Sequence, residues 1–169
     1  MRTRKAILPD APAIFRLISQ YTSDGTLLPR SLQEICENVR DFTVVEDRGK
    51  VIACAALHIY GIGLAEVRSV SVDKKAKGRN AGSNLVVGLL EESRQHEIER
   101  VFLFTRVPDF FGKLGFVTVP HHTLPEKVMK DCLNCSRRHS CDEIAMVLDQ
   151  DGVNVAITVE EQSPLRVLQ

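Results

Sequence analysis

The sequence of 169 residues has no tryptophan, no net charge and no long apolar run. Lys plus Arg equals Asp plus Glu at 22 each, so no excess of cations is present to neutralise phosphates, which excludes a nucleic-acid binder of the basic-surface kind. Without tryptophan, aromatic stacking platforms are not expected. The longest strongly apolar run, Val51–Leu57, is far shorter than the roughly 20 residues of a membrane span. These absences favour a soluble globular protein without nucleic-acid or membrane partners.

The cysteine count and the N-terminal segment indicate a compartment. Five cysteines leave at least one thiol outside any set of disulfide pairs. The basic segment Met1–Lys5 is followed by an apolar segment too short and too interrupted for a signal peptide. We therefore expect a cytoplasmic protein with reduced thiols.

Chain length and composition predict one domain. A chain of this size corresponds to a single domain with its own core. We assign residues 1–150 to that domain, with a cysteine-containing insertion or loop at residues 120–141. Residues 151–169 form an acidic C-terminal tail, continuous with acidic residues that begin at Asp142.

Apolar periodicity predicts an α+β domain in the order β-α-α-β-β-β-α-β-α-β-β. A capping box between Ser31 and Glu34 predicts the start of the second helix. Residues 47–50 predict a hairpin turn between the second and third strands, and Asp109 is expected near the N-cap of a short fourth helix.

The fourth strand is predicted over Leu64–Val72. Simple alternation places its side chains on two faces. One face would carry Val67, Ser69 and Ser71, and the other Arg68, Val70 and Val72.

A basic, glycine-containing segment, Lys74–Ser83, lies between this strand and the next helix. Four bases fall within residues 74–79, and Gly78, Asn80 and Gly82 can adopt left-handed backbone angles. A strand–turn–helix of this kind turns amide groups and a helix N-terminus toward one point, which suits a pyrophosphate. A solvated basic turn is the alternative interpretation.

The strand, this turn and the next helix resemble motif A of the GCN5-related N-acetyltransferases (GNAT). The turn Lys77–Gly82 is similar to the family's Arg/Gln-x-x-Gly-x-Gly/Ala, although Lys77 and Asn80 depart from it. The segment Phe110–Phe116 resembles motif B. The resemblance implies a GNAT fold, a mixed and mostly antiparallel sheet flanked by helices, with acetyl-CoA as co-substrate. It implies that acetyl-CoA contacts Val70, Val72, Lys77, Gly78, Arg79, Asn80, Ala81, Gly82 and Ser83.

Other segments resemble more narrowly the acetyltransferase domain of bacterial N-acetylglutamate synthases. These are the turn ending in Arg30, the strand Ile52–Leu57 and the Thr105–Arg106 pair ahead of motif B. The resemblance implies acetylation of the α-amino group of L-glutamate, an arginine-biosynthesis reaction, by direct attack of the amine on the thioester.

The same resemblance assigns roles to three charged residues. Arg30 and Arg106 hold the substrate carboxylates, which suits the bidentate geometry of arginine. Glu66 is the candidate general base. Arg68 stands where that family has a small residue, and it either contacts a carboxylate or pairs with Glu66. Phe111 replaces the tyrosine that serves many relatives as general acid, so no acid is assigned in motif B.

Two other functions and a homodimer stay open. The same fold could acetylate another amino acid or amine, or the chain could be a non-catalytic acyl-CoA-binding module.

Cys132, Cys135 and Cys141 have a spacing that three functions could explain. With a nearby histidine such as His139, they could form a structural zinc site. A redox thiol set and the absence of a joint function are the alternatives. We assign no metal ligand, and we expect Cys36 and Cys54 to be core residues.

Overall fold

The structure is a computed structural model that describes residues 1–124, 132–135 and 138–150. Within these residues the strands are β1 Arg2–Lys5, β2 Phe42–Asp47, β3 Lys50–Gly61, β4 Leu64–Val72, β5 Arg100–Thr105, β6 Val117–Thr118 and β7 Ile144–Asp149. The helices are α1 Ala11–Ser19, α2 Leu32–Glu37, α3 Ala81–Gln95 and α4 Pro108–Gly112. The order predicted from the sequence is confirmed, and the predicted tail at 151–169 lies outside the described residues. No helix in the described part has the length and apolar character to cross a membrane.

The seven strands form one mixed sheet in the order β1-β2-β3-β4-β5-β7-β6. All neighbouring strands are antiparallel except β4 and β5, which are parallel. Arg48 and Gly49 both have positive φ in the turn between β2 and β3, as a two-residue type I′ hairpin requires. The predicted mixed α+β sheet is therefore confirmed.

Apolar side chains cover both faces of the sheet. On one face α3 packs Leu85, Val86 and Leu89 against β3 and β4. On the other face α1 and α2 pack against alternate residues of the same strands, such as Cys54 and Ala56. Because successive strand residues point to opposite faces, β3 needs small apolar residues in both directions, and its run of alanines supplies them.

A β-bulge in β4 changes the predicted alternation of that strand. Between two pairings, Cys54 with Ser71 and Ala56 with Arg68, β4 contains one more residue than β3. Ser69 lies in the bulge with φ +56°. The extra residue reverses the facing of the residues after it, so Val67 packs into the same core cluster as Val70 and Val72. The prediction that Val67 lies opposite Val70 and Val72 was wrong for this reason.

The parallel strands β4 and β5 separate partway along their length. They pair from Leu64 with Arg100 to Glu66 with Phe102. Beyond that point β5 continues to pair with β7, whereas β4 turns at its bulge. Glu66 thus lies at the apex of a V-shaped gap.

The helix starts agree with the sequence in one case and differ in another. At α2 the Ser31 hydroxyl accepts the Glu34 N–H, and the Glu34 carboxylate accepts the Ser31 N–H, so the capping box is confirmed. At α4 the N-cap is Val107 with Pro108 in the first turn. The expected Asp109 lies inside this first turn, because proline with its fixed φ favours the first helical position.

Candidate active site

A cavity of about 430 Å³ lies where β4 and β5 separate. Its wall includes the turn before α2, the middle of β4, the ends of β5 and β7 and the cysteine segment. Arg30, Glu66 and Arg106, which the sequence indicated from three distant segments, all line it, and so does Arg68.

Glu66 is a carboxylate that the fold holds at the apex of the gap. Its side chain is buried, at 2% exposure. The hydroxyl of Tyr60 donates a hydrogen bond to its Oε2 at 3.1 Å, and the Tyr60 ring packs against Phe102 with 5.3 Å between ring centroids. Sequence reasoning missed Tyr60, although it lies on the strand adjacent to Glu66. The hydrogen bond orients one oxygen of a buried carboxylate.

Arg106 enters the cavity with two protein partners. Its Nε donates to Asp142 Oδ1 at 2.8 Å, and its Nη1 donates to the Gly25 carbonyl. The Asp142 carboxylate raises the pKa of Arg106 above its usual value. The ion pair links the end of β5 to the segment before β7, and the sequence spacing did not indicate it.

Arg30 and Arg68 lie on the side of the cavity near α2. Arg30 Nη1 is 3.8 Å from Glu34 Oε1. Hydrogen bonding from Ser31 lowers the pKa of Glu34, and the charges of Arg30 and Arg68 lower it further. Both guanidinium groups therefore act on one carboxylate, which places them on the same side.

The basic turn has the backbone expected of an anion site. Gly78 and Asn80 have φ of +81° and +60°, whereas Gly82 lies within α3. The first helical hydrogen bond joins the Asn84 N–H to the Asn80 carbonyl at 2.9 Å. Because the first amides of a helix have no intrahelical acceptor, those of Ala81–Ser83 are available to a ligand.

The basic side chains of this turn have contacts within the protein. Lys77 Nζ lies over the Tyr21 ring, 5.3 Å from its centroid. Arg79 pairs with Asp47 at 2.8 Å. The expected contribution of the turn to phosphate binding thus rests first on its backbone.

Val70 and Val72 turn backbone groups toward the gap. The Asp73 N–H donates to the Ile52 carbonyl of β3. Successive residues of a strand direct their backbone N–H and C=O groups to opposite edges. The backbone groups of Val72 and Val70 therefore face away from β3, toward the gap. The hydroxyl of Tyr21 donates to the Val72 carbonyl at 2.6 Å. Sequence reasoning missed this role of Tyr21 in fixing the edge of β4.

The motif B aromatic residues belong to the core. Phe111 is buried and packs edge-on against Phe110 and Phe116. Gly82 of α3 approaches Phe110, where an added Cβ would be 3.5 Å from the ring. Motif B therefore joins α4 to the start of α3.

Cys132, Cys135 and Cys141 all line the cavity. The Cys135 N–H donates to the Cys132 carbonyl at 3.2 Å, which makes a tight turn of the first pair. Among the described residues, which include all three cysteines, no group of three His, Cys, Asp or Glu side chains is arranged to hold a metal ion. Cys54 is buried in the core as predicted, and burial raises the pKa of its thiol to about 12.

Sequence comparison identifies a family and relatives for this chain. The model of the Acetyltransferase (GNAT) family matches residues 11–116. An uncharacterised N-acetyltransferase of Chlorobaculum tepidum is 38% identical over 144 residues, which cover 85% of this chain and 93% of that protein. An amino-acid acetyltransferase of Mycobacterium tuberculosis is 36% identical over 119 residues, covering 69% of this chain and 68% of that protein.

Two solved structures are similar in fold. A Mycobacterium tuberculosis protein in complex with CoA superimposes with a TM-score of 0.75 at 28% identity, covering 89% of this chain and 99% of that one. The N-acetylglutamate synthase of Neisseria gonorrhoeae, complexed with coenzyme A and N-acetyl-glutamate, gives 0.78 at 26% identity and covers 88% of this chain. The match spans about a third, 34%, of the Neisseria chain. This chain thus belongs to the acetyltransferase (GNAT) family and is an acetyl-CoA-dependent N-acetyltransferase related to the amino-acid acetyltransferases.

Proposed function

We propose that this enzyme transfers the acetyl group of acetyl-CoA to the α-amino group of L-glutamate, with Glu66 as general base and Arg30 and Arg106 as carboxylate-binding residues. The observation that carries the proposal is the common cavity. A buried carboxylate at the apex of the strand gap and the guanidinium groups of Arg30 and Arg106 line one space of about 430 Å³.

The arginines favour an acceptor with carboxylates. Guanidinium groups bind carboxylates through charge-assisted hydrogen bonds. Arg30 lies just before α2 and Arg106 just after β5, and two separate guanidinium groups in one cavity suit an amino acid with two carboxylates. The names of the Mycobacterium and Neisseria relatives support the same class of acceptor.

Glu66 provides the proton acceptor that the reaction requires. An α-amino group with a pKa of about 8 to 9.5 is mostly protonated at pH 7 and then has no lone pair for attack. Glu66 takes this proton, directly or through a water molecule. The amine nitrogen then forms a bond to the thioester carbon. As the tetrahedral intermediate collapses, the carbon–sulfur bond breaks and the nitrogen releases its second proton to solvent.

The backbone of β4 and the basic turn position the donor. Amides of residues 78–83 bind the pyrophosphate, with Lys77 and Arg79 at the rim, and the gap-facing groups of Val70 and Val72 bind the acyl arm. Because the Tyr21 hydroxyl holds the Val72 carbonyl, the contribution of Val72 comes through its N–H. CoA leaves as thiolate and is protonated by solvent, since Phe111 has no proton to donate.

A direct assay tests the acceptor. Release of free CoA is followed with acetyl-CoA against glutamate, glutamine, aspartate and neutral amino acids. We expect the highest kcat/KM with glutamate and a loss of that rate in Arg106→Ala. No rate above background with glutamate would refute the proposal, and an unchanged glutamate rate in Arg106→Ala would favour another amine as acceptor.

A further inference from the structure

The three arginines of the cavity differ in their partners. Arg106 is held by Asp142 and the Gly25 carbonyl. Arg30 has Glu34 within 3.8 Å. Arg68 is half-buried in the same wall, and no ion pair joins it to another residue in the described part of the chain.

The position of Arg68 relates it to Glu66. The two residues are separated by one position on β4 and precede the bulge at Ser69. Strand geometry therefore points both side chains to the same face, with their Cα atoms about 7 Å apart. An acceptor with its amine at Glu66 is thus within reach of the Arg68 guanidinium.

Near α2, two guanidinium groups face the carboxylate of Glu34. Arg30 and Arg68 both act on the Glu34 carboxylate. Glu34 Oε2 also accepts the N–H of Ser31 at 2.7 Å, since it caps α2. Two cations therefore share one carboxylate that also caps α2, whereas Arg106 has a direct ion pair with Asp142. A half-buried cation that has no ion pair within the protein is stabilised when a ligand supplies an anion.

We propose that Arg68 binds a carboxylate of the acceptor amino acid, beside Arg30 and opposite Arg106. The assignment rests on the proposed function, because it needs an acceptor with a carboxylate. The acceptor site would then hold one carboxylate between Arg30 and Arg68 and the other at Arg106.

Kinetics of Arg68→Gln and Arg68→Lys test the assignment, with Arg16→Gln as the control. Arg16 is exposed on α1 and does not line the cavity. We expect Arg68→Gln to raise the KM for glutamate about 10- to 100-fold, as for the loss of a charge-assisted pair, with the KM for acetyl-CoA unchanged. Lysine retains the charge and should recover part of the loss. A merely structural role would affect both substrates and would not distinguish lysine from glutamine.

Parallel measurements with glutamine identify the carboxylate and separate the two proposals. A loss confined to glutamate places the side-chain carboxylate at Arg68, and an equal loss with both acceptors places the α-carboxylate there. If wild type acetylates glutamate and Arg68→Gln stays within threefold of it, the Arg68 assignment is wrong and the proposed function stands. If wild type prefers another carboxylate-bearing amino acid, the glutamate proposal fails and the same comparison with that acceptor decides on Arg68. Activity restricted to amines without a carboxylate refutes both.

Discussion

Replacing Glu66 by glutamine removes the proposed base and changes little else. Glutamine has nearly the shape of glutamate, and its amide oxygen can still accept the hydrogen bond that Tyr60 donates at 3.1 Å. Because Glu66 is buried at 2% exposure, preserving its volume and its partner is what keeps the cavity intact. The substitution therefore tests proton transfer apart from packing.

The size of the effect follows from the role of a base. General base catalysis contributes about 10²- to 10⁴-fold in rate, which corresponds to about 3–5 kcal/mol in the activation barrier. We expect Glu66→Gln to lower kcat at pH 7 by this factor, while the KM for acetyl-CoA stays within about twofold. As the pH rises, the free amine deprotonates in solution and needs the base less. The ratio of wild-type to variant rate should therefore shrink between about pH 7 and pH 9.5.

Initial rates of free CoA release, with each substrate varied in turn, measure both quantities. Glu91→Gln is the matched control, because Glu91 is exposed on α3 and outside this cavity. Thermal unfolding shows whether the variants are folded. A folded Glu66→Gln enzyme with a rate within fivefold of wild type at pH 7, or a ratio that does not change with pH, would refute the assignment of Glu66 as base.

Three further predictions concern the anion turn, an ion pair and the thiols. Gly78→Ala places a side chain on a residue with φ +81°, which should lower the free energy of unfolding by about 1–2 kcal/mol. The variant should also raise the KM for acetyl-CoA but not the KM for the amino acid. An equal rise in the two KM values would contradict the role assigned to the turn. Arg4 bonds Asp10 at 2.6 Å and lowers the pKa of that carboxyl, so its stabilisation is present at neutral pH and is lost as the pH falls through the folded-state pKa. Asp10→Asn should thus lower the melting temperature at pH 7, and the difference from wild type should disappear as the pH falls. A difference that grows in acid would contradict the lowered pKa of Asp10. Burial raises the pKa of Cys54 to about 12, so iodoacetamide at about pH 8 should alkylate the exposed Cys141 and not Cys54 in the folded protein, as peptide mass analysis would show.

Local sequence was sufficient to predict the features that depend on residues close together in the chain. The Ser31 capping box and the Arg48–Gly49 turn depend on residues within four positions of each other, and the structure has both. Motif resemblance found Arg30, Glu66 and Arg106, which come from three separate segments and line one cavity. What each of these residues does in catalysis stays a prediction.

The bulge shows where periodicity failed. Nothing in the alternation of Leu64–Val72 marks Ser69 as an extra residue, because the bulge is defined by pairing with β3. The facing of Val70 and Val72 reverses as a result. An alternating sequence pattern cannot reveal an extra residue that is defined only by pairing with the neighbouring strand.

The sequence alone determined the order of elements, the sheet class, the family resemblance and the candidate residues Arg30, Glu66 and Arg106, because those depend on local propensity and on motifs. Only the tertiary structure decided which side chains contact each other. Arg106 pairs with Asp142 across 36 positions of sequence, and Tyr21 bonds Val72 across 51. Arg68 has no ion pair among the described residues. Such pairings arise when the sheet brings distant segments into one wall. Whether an arginine forms an ion pair within the protein follows from that packing and not from its neighbours in sequence.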